Sequence, residues 1–215
     1  MNIANNRRAG IKAIEGAHIS IFKNKIKSNF CQGILLVEGT SAHIEQNEIS
    51  LNYKANIAFG GMQSTDTVIL RNNIYSSRSE GIFALEAGIA LIHDNQIYDN
   101  SDGVILYDSH CFLDMNTIRN NLRCGLIISG ASYPRIETND IFSNTTAGIV
   151  IRNNSEVDMS NNKVYGNYYQ VSIRGKSIEI NYLFNTGLGK HEFSSKIVQQ
   201  NAIAEPNEIP SKYCF

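Results

Sequence analysis

A histidine and two carboxylates recur at nearly one interval in this chain: His93, Asp114 and Glu137 are separated by 21 and 23 residues. An imidazole beside a carboxylate can act as a general acid or base, because the carboxylate accepts one ring N–H and leaves the second nitrogen to move a proton. The three residues can cooperate only in a fold that stacks positions 21 to 23 apart. They are the catalytic candidates, and the competing reading is an ordinary surface pair of little energetic weight. A second pair, Glu80 and Asp102, holds equivalent places in successive repeats. Stacked one repeat apart, its carboxylates would approach the roughly 5 Å separation used by retaining glycosidases.

Such stacking is what the sequence predicts. Ile3, Ile26, Ile49, Ile74, Ile97, Ile118, Ile141 and Val164 follow one another at intervals of 23, 23, 25, 23, 21, 23 and 23 residues. An asparagine stands two residues before the last seven of them, from Asn24 to Asn162, and another three residues after seven of the eight, with Ser77 the one lapse. Each unit carries two further apolar anchors. One follows a small residue, as in Gly33-Ile34, Gly81-Ile82 and Gly103-Val104, with Asn56-Ile57 and Gln170-Val171 as variants. The other runs Ile21, Ile44, Ile69, Ile92, Leu113, Ile136, Met159. Around each anchor the apolar residues alternate with period two, which is strand periodicity. Three short strands and three bends per unit make a solenoid rung, with Gly and Asn suited to the corners. Rungs paired in parallel at about 4.8 Å would fill the bore with aliphatic anchors and line the corners with asparagine ladders.

The expected fold is therefore all-β: a right-handed, single-stranded parallel β-helix of about eight rungs over residues 1–175, followed by a cap and tail over 176–215. Apolar spacing in 190–203 suggests a short capping helix, and Pro206 and Pro210 an irregular end.

The ruler also sorts outward positions. On the second sheet the outward column reads Leu35, Ala58, Phe83, Ile105, Ile127, Val150, flanked by Leu85 and Tyr107. Left bare, that column would be a larger apolar patch than a monomer tends to expose. It is the candidate surface for a protein partner or for self-association, unless the tail folds over it. On the first sheet Tyr75, Tyr98, Arg119, Phe142 and Tyr165 form an aromatic stripe able to grip sugar rings or to stabilise the ladder. The corner at Gly60-Gly61-Met62-Gln63-Ser64, inserted in the longest repeat, is the most evident loop.

The repeats Asn139-Asp140-Ile141-Phe142-Ser143-Asn144, Ala147-Gly148-Ile149-Val150-Ile151 and Asn161-Asn162-Lys163-Val164-Tyr165-Gly166-Asn167 resemble those of pectin-lyase-like β-helix proteins. Within that superfamily they look most similar to the carbohydrate-binding and sugar-hydrolase (CASH) repeats found in the F-box only protein 11 group of ubiquitin-ligase adaptors. The resemblance implies a right-handed β-helix, and either a substrate-recognition module or a carbohydrate-active enzyme. The Gly-His-Gly and Arg-x-Lys segments of polygalacturonase-like members are missing from this sequence, as is the Asp-Pro-His motif of alginate-epimerase-like members.

Composition narrows the remaining classes. A net charge of −1 argues against an electrostatic nucleic-acid footprint and does not favour polyanion binding. No apolar run is long enough for a membrane helix. No zinc spacing, nucleotide loop or Ser-His-Asp signature is present, so neither metal nor cofactor is expected. Four scattered cysteines and a start without a signal-like apolar segment give the expectation of a cytoplasmic or otherwise intracellular protein. The repeat register already runs at Ile3, which fits a fragment, a partner-capped chain or a filament scaffold. From these features a non-catalytic protein-binding or scaffold module is the first expectation. The alternatives are a carbohydrate-active lyase, hydrolase or epimerase and a self-associating solenoid.

Overall fold

A computed structural model describes residues 1–61, 66–174 and 179–183. Three anchors per repeat become three parallel sheets of eight strands each, and within every sheet a strand pairs with its copies in the neighbouring repeats. The first sheet runs from Asn2–Ala4 to Lys163–Tyr165, the second from Ile11–Ala13 to Tyr169–Arg174, and the third from His18–Phe22 to Glu179–Leu183. The register follows the isoleucine ruler: Ile3 lies beside Ile26, Ile26 beside Ile49, Ile74 beside Ile97 and Ile141 beside Val164. No helix occurs among the described residues. The suggested helix over 190–203 and the rest of the tail lie outside them.

All three anchor columns point into one bore and merge into a single apolar cluster that includes Ile26, Ile34, Ile44, Ile97, Val104, Leu113 and Met159. Burying an aliphatic side chain of this size is worth roughly 1.5–3 kcal/mol, so the ladders supply most of the driving force. The corners need a second device, because there the backbone turns away from the sheets. Asn47 shows it. Its side-chain oxygen accepts from the Asn24 backbone N–H at 2.9 Å, while its amide donates to Ile21 O at 2.8 Å and to Asn72 Oδ1 at 3.0 Å. The same pattern repeats through Asn72, Asn95, Asn116 and Asn139, all buried.

The left-handed backbone positions are not the asparagines of the ladders. At two corners they fall on the residue before each ladder position: Lys23, Gln46, Arg71, Asp94, Met115, Thr138 and Asn161 at one, and Asn5, Ser28, Leu51, Ser76, Asp99, Asn120 and Ser143 at the next, while Glu15, Glu38, Glu86 and Asp108 take the same conformation at the third. A positive φ costs a residue such as Thr138 on the order of 1–2 kcal/mol; the amide ladder holds it in place. Glycine before the second anchor has a different cause. A Cβ on Gly33 would lie 2.7 Å from Asn52 Nδ2, so only a bare Cα leaves room for the ladder.

The apolar outer column of the second sheet is not exposed. Leu35, Phe83, Ile127 and Val150 are buried, and Ile105, Leu85 and Tyr107 are half-buried. They pack into two satellite clusters outside the bore, one of Leu35, Val37, Ala55, Ala58 and Phe83, the other of Cys124, Ile127, Ala147 and Val150, with Ile105 touching both. The column is thus largely buried, with its side chains packed on one another in these two clusters.

Candidate functional site

Outer positions of the third sheet form the site. Strands Ile89–His93, His110–Asp114 and Arg135–Glu137 pair in register, so that His93 lies beside Asp114, Asp114 beside Glu137 and Glu137 beside Ser160. Alternation forces this arrangement. Ile92, Leu113 and Ile136 enter the bore, and the residue after each must face outward.

Across adjacent rungs His93 Nδ1 meets Asp114 Oδ2 at 2.9 Å. Both side chains are partly exposed, at 29% and 18%, so solute can reach the pair. A carboxylate at that distance can only accept, which makes Nδ1 the donating nitrogen, and Nε2 makes no hydrogen bond to a described residue. Glu137 is engaged differently. It accepts from Arg135 Nε at 2.7 Å and from the Ser160 hydroxyl at 3.1 Å, which fixes its position one rung from the dyad. The Arg135 guanidinium also sits 5.4 Å from the Phe112 ring centroid, covering the apolar floor between the charges.

On the other side of the dyad Arg71 bonds Glu45 Oε1, and His43 Nε2 meets Glu45 Oε2 at 2.9 Å. The His43 hydrogen bond holds the Glu45 carboxyl below its ordinary range, with help from Arg71 and against a smaller effect of burial. Arg71 and Arg135 therefore flank the dyad along the rod, each tied to a glutamate. Sequence reasoning missed Arg71 and His43. The signal existed, since Arg71 occupies the corner after Leu70, a position the ruler places one rung before Asp94.

The other expected residues fall elsewhere. Glu80 and Asp102 do lie side by side, but both are buried. Asp102 accepts from the Cys124 backbone N–H at 3.1 Å and pairs with Arg123, and Glu80 accepts from the Ser79 hydroxyl at 2.6 Å. They brace a corner and are closed to substrate. Tyr75 and Tyr98 stack with centroids 5.1 Å apart and planes 4° from parallel, Arg119 lies over Tyr98 at 4.4 Å, and Phe142 stacks on Tyr165. Most of these ring faces are used by their neighbours, so the stripe chiefly knits rungs together. Gly60 and Gly61 of the long corner are described, whereas 62–65 lie outside the described residues. Among the described residues no group of three or more His, Cys, Asp or Glu is placed to hold a metal ion.

Residues 61–187 match the model of the right handed beta helix region. The chain belongs to that family. This β-helix also overlays solved enzymes. A point mutant of the periplasmic alginate epimerase AlgG aligns with a TM-score of 0.76 and 17% identity over 82% of this chain and 47% of that one. The A-module of mannuronan C-5 epimerase AlgE4 from Azotobacter vinelandii aligns with a TM-score of 0.59 and 11% identity over 86% of this chain and 76% of that one. The A-module of AlgE6 from the same organism gives 0.55 and 14%, over 86% and 55%. At these identities the likeness establishes the fold, and the chain spans about half the length of AlgG. No curated protein sequence matches.

Two expectations are corrected here. The β-helix was expected to be a non-catalytic protein-binding or scaffold module. Its structural neighbours are carbohydrate-active enzymes, and most of the apolar face on which that reading stood is buried. It was also expected to be intracellular, whereas the AlgG it overlays is periplasmic. A start without an apolar segment says nothing of location when a chain spans 47% of its neighbour.

Proposed function

We propose that this β-helix is a carbohydrate-active enzyme that moves a proton on an acidic polysaccharide, with His93 as the base, Asp114 as its orienting partner and Glu137 beside them. The supporting observation is the His93–Asp114 contact at 2.9 Å on an accessible face, which leaves Nε2 directed at no other group. Hydrogens next to a sugar carboxylate are acidic enough to be taken by an imidazole if the carboxylate is neutralised. Arg71 and Arg135 stand on either side of the dyad to do that, at the cost of loosening their glutamates. Return of a proton to the opposite face would invert the carbon, giving an epimerase. Expulsion of the neighbouring glycosidic oxygen would give a lyase.

Epimerase names among the structural neighbours support the first outcome. The resemblance of the repeats to the CASH type favours the same ligand class. Because no Asp-Pro-His segment occurs, the dyad here comes from two different rungs. Incubating the protein with polymannuronate in heavy water, and following deuterium at the carbon beside the carboxylate by NMR, tests the reading. Exchange that disappears in His93→Ala supports it; exchange undiminished in that variant removes His93 from the chemistry.

A further inference from the structure

The overall charge of −1 conceals a strong polarity. Residues 1–27 hold six Lys or Arg against one Glu, which leaves thirteen basic and nineteen acidic residues in the rest of the chain. Part of this basic end runs into the corner between the first and second sheets, on the far side of the first sheet from the proposed catalytic dyad. There the backbone ladder aligns Arg7, Phe30, Tyr53 and Arg78 in consecutive rungs: Phe30 N–H donates to Asn6 O, Tyr53 N–H to Asn29 O and Arg78 N–H to Asn52 O. All four side chains are exposed, Phe30 at 65% and Tyr53 at 56%. The Arg78 guanidinium lies 5.1 Å from the Tyr53 ring centroid. Arg8 and Lys54 follow directly after Arg7 and Tyr53 in the chain, and none of Arg7, Arg8, Lys54 or Arg78 forms an ion pair with a described residue.

The exposed rings of Phe30 and Tyr53, the latter with the Arg78 guanidinium beside it, stand between cations that form no ion pair with a described residue, and make a platform for a ligand that is both planar-faced and anionic. We propose that the ridge Arg7-Phe30-Tyr53-Arg78 is a second binding site, separate from the dyad, for an acidic polysaccharide. The ligand class rests on the proposed function; the site rests on the ridge itself. Four rungs span about 14 Å at the parallel-strand spacing, a few pyranose units of extended chain. Sugar faces would lie on the rings and carboxylates would reach the guanidiniums. A nucleic-acid strand fits less well. Its bases repeat at about 3.4 Å, out of step with rungs roughly 4.8 Å apart. A site of this kind would hold a long substrate while the dyad works on another stretch.

Titration of the full chain with oligomannuronate, with neutral cello-oligosaccharide and with oligo-dT, by calorimetry at low and moderate salt, tests the idea. Arg7→Gln with Arg78→Gln should weaken oligomannuronate binding at least roughly ten-fold and flatten its salt dependence. Phe30→Ala with Tyr53→Ala should weaken it similarly with the salt dependence kept. His93→Ala should bind as the parent does, so loss of turnover and loss of the ridge are read separately. The four ridge positions are exposed, and an unchanged thermal transition verifies folding. Unchanged affinity in both ridge variants overturns the proposal. So does equal or tighter binding of the neutral sugar or of oligo-dT, or binding lost in His93→Ala alone.

Discussion

The Asn56 side-chain amide donates to Asn100 Oδ1 at 3.2 Å across two rungs, bridging the repeat in which Ser77 replaces a ladder asparagine. The same side chain accepts from Asn52 Nδ2 at 2.8 Å, so the amide of Asn56 occupies the place of the missing one. Elsewhere the position of Asn56 is mostly glycine, because a Cβ there would strike the asparagine of the next rung. Ser77, being shorter, admits it. Two deviations from the repeat thus compensate each other.

Replacing Asn56 by alanine should remove one of two partners from each of Asn52 Nδ2 and Asn100 Oδ1, leaving them Ile26 O at 3.4 Å and the Ser77 N–H at 2.9 Å, and cost about 1 kcal/mol. Ser77→Asn alone should also destabilise, through a clash with Asn56. The pair Asn56→Gly with Ser77→Asn restores the common pattern and should lie close to the parent. Urea denaturation of the parent, Asn56→Gly, Ser77→Asn and their double variant gives the coupling; additive losses in the double variant would contradict the compensation.

Close packing at the glycine column sets a second expectation. A Cβ on Gly103 would come within 2.4 Å of Gly125 O and 2.6 Å of the Ile118 side chain, and neither backbone can yield without disturbing the adjacent rung. Gly103→Ala should lower stability by about 1–3 kcal/mol or more. Gly16, whose added Cβ would meet nothing within 4 Å, has a positive φ and makes a useful contrast. Gly16→Ala should cost about 1 kcal/mol from backbone strain alone. Thermal melts of the two variants rank them.

The ladders were legible because they are periodic. Asn24 to Asn162 and Ile3 to Val164 could be read as columns, and a column fixes which side chains face inward. Burial of the outer column could not be read in the same way. Phe83 and Val150 alternate with bore residues just as an exposed position would, and whether side chains in the same column shield one another depends on volumes and neighbours such as Ala55, Cys124 and Ala147. The dyad was legible from the ruler alone. The role of Arg71 was not, because its reach back to Glu45 is a rotamer choice, which the spacing leaves open.

Acid should weaken the fold through His110. Burial pushes its imidazole below the ordinary 6.5, against smaller opposing effects of the Ser109 backbone and of Asp108, while Tyr133 stacks on the ring. A depressed value means that the unfolded chain takes the proton more readily than the folded one. The associated stability is therefore complete above pH 6.5 and declines as pH falls through that value towards the lower folded one. Melting temperature followed from pH 8 to pH 5 should fall further in the parent than in His110→Gln; parallel curves would show that another group controls the decline.

Thiol chemistry should distinguish the cysteines by depth. Cys111 is fully enclosed in the bore and burial pushes its thiol up to about 12, so almost none is thiolate at neutral pH. Cys124 is also raised, by burial and then by the neighbouring Asp102 carboxylate. Cys31 is only half-buried. Brief treatment of the folded protein with iodoacetamide at pH 8, followed by peptide mapping, should find label on Cys31 and none on Cys111. Urea should expose both. Label on Cys111 without denaturant would mean that the rungs around strand His110–Asp114 open readily, and the proposed base at His93, paired to that same strand, would then lack the rigid support its geometry requires.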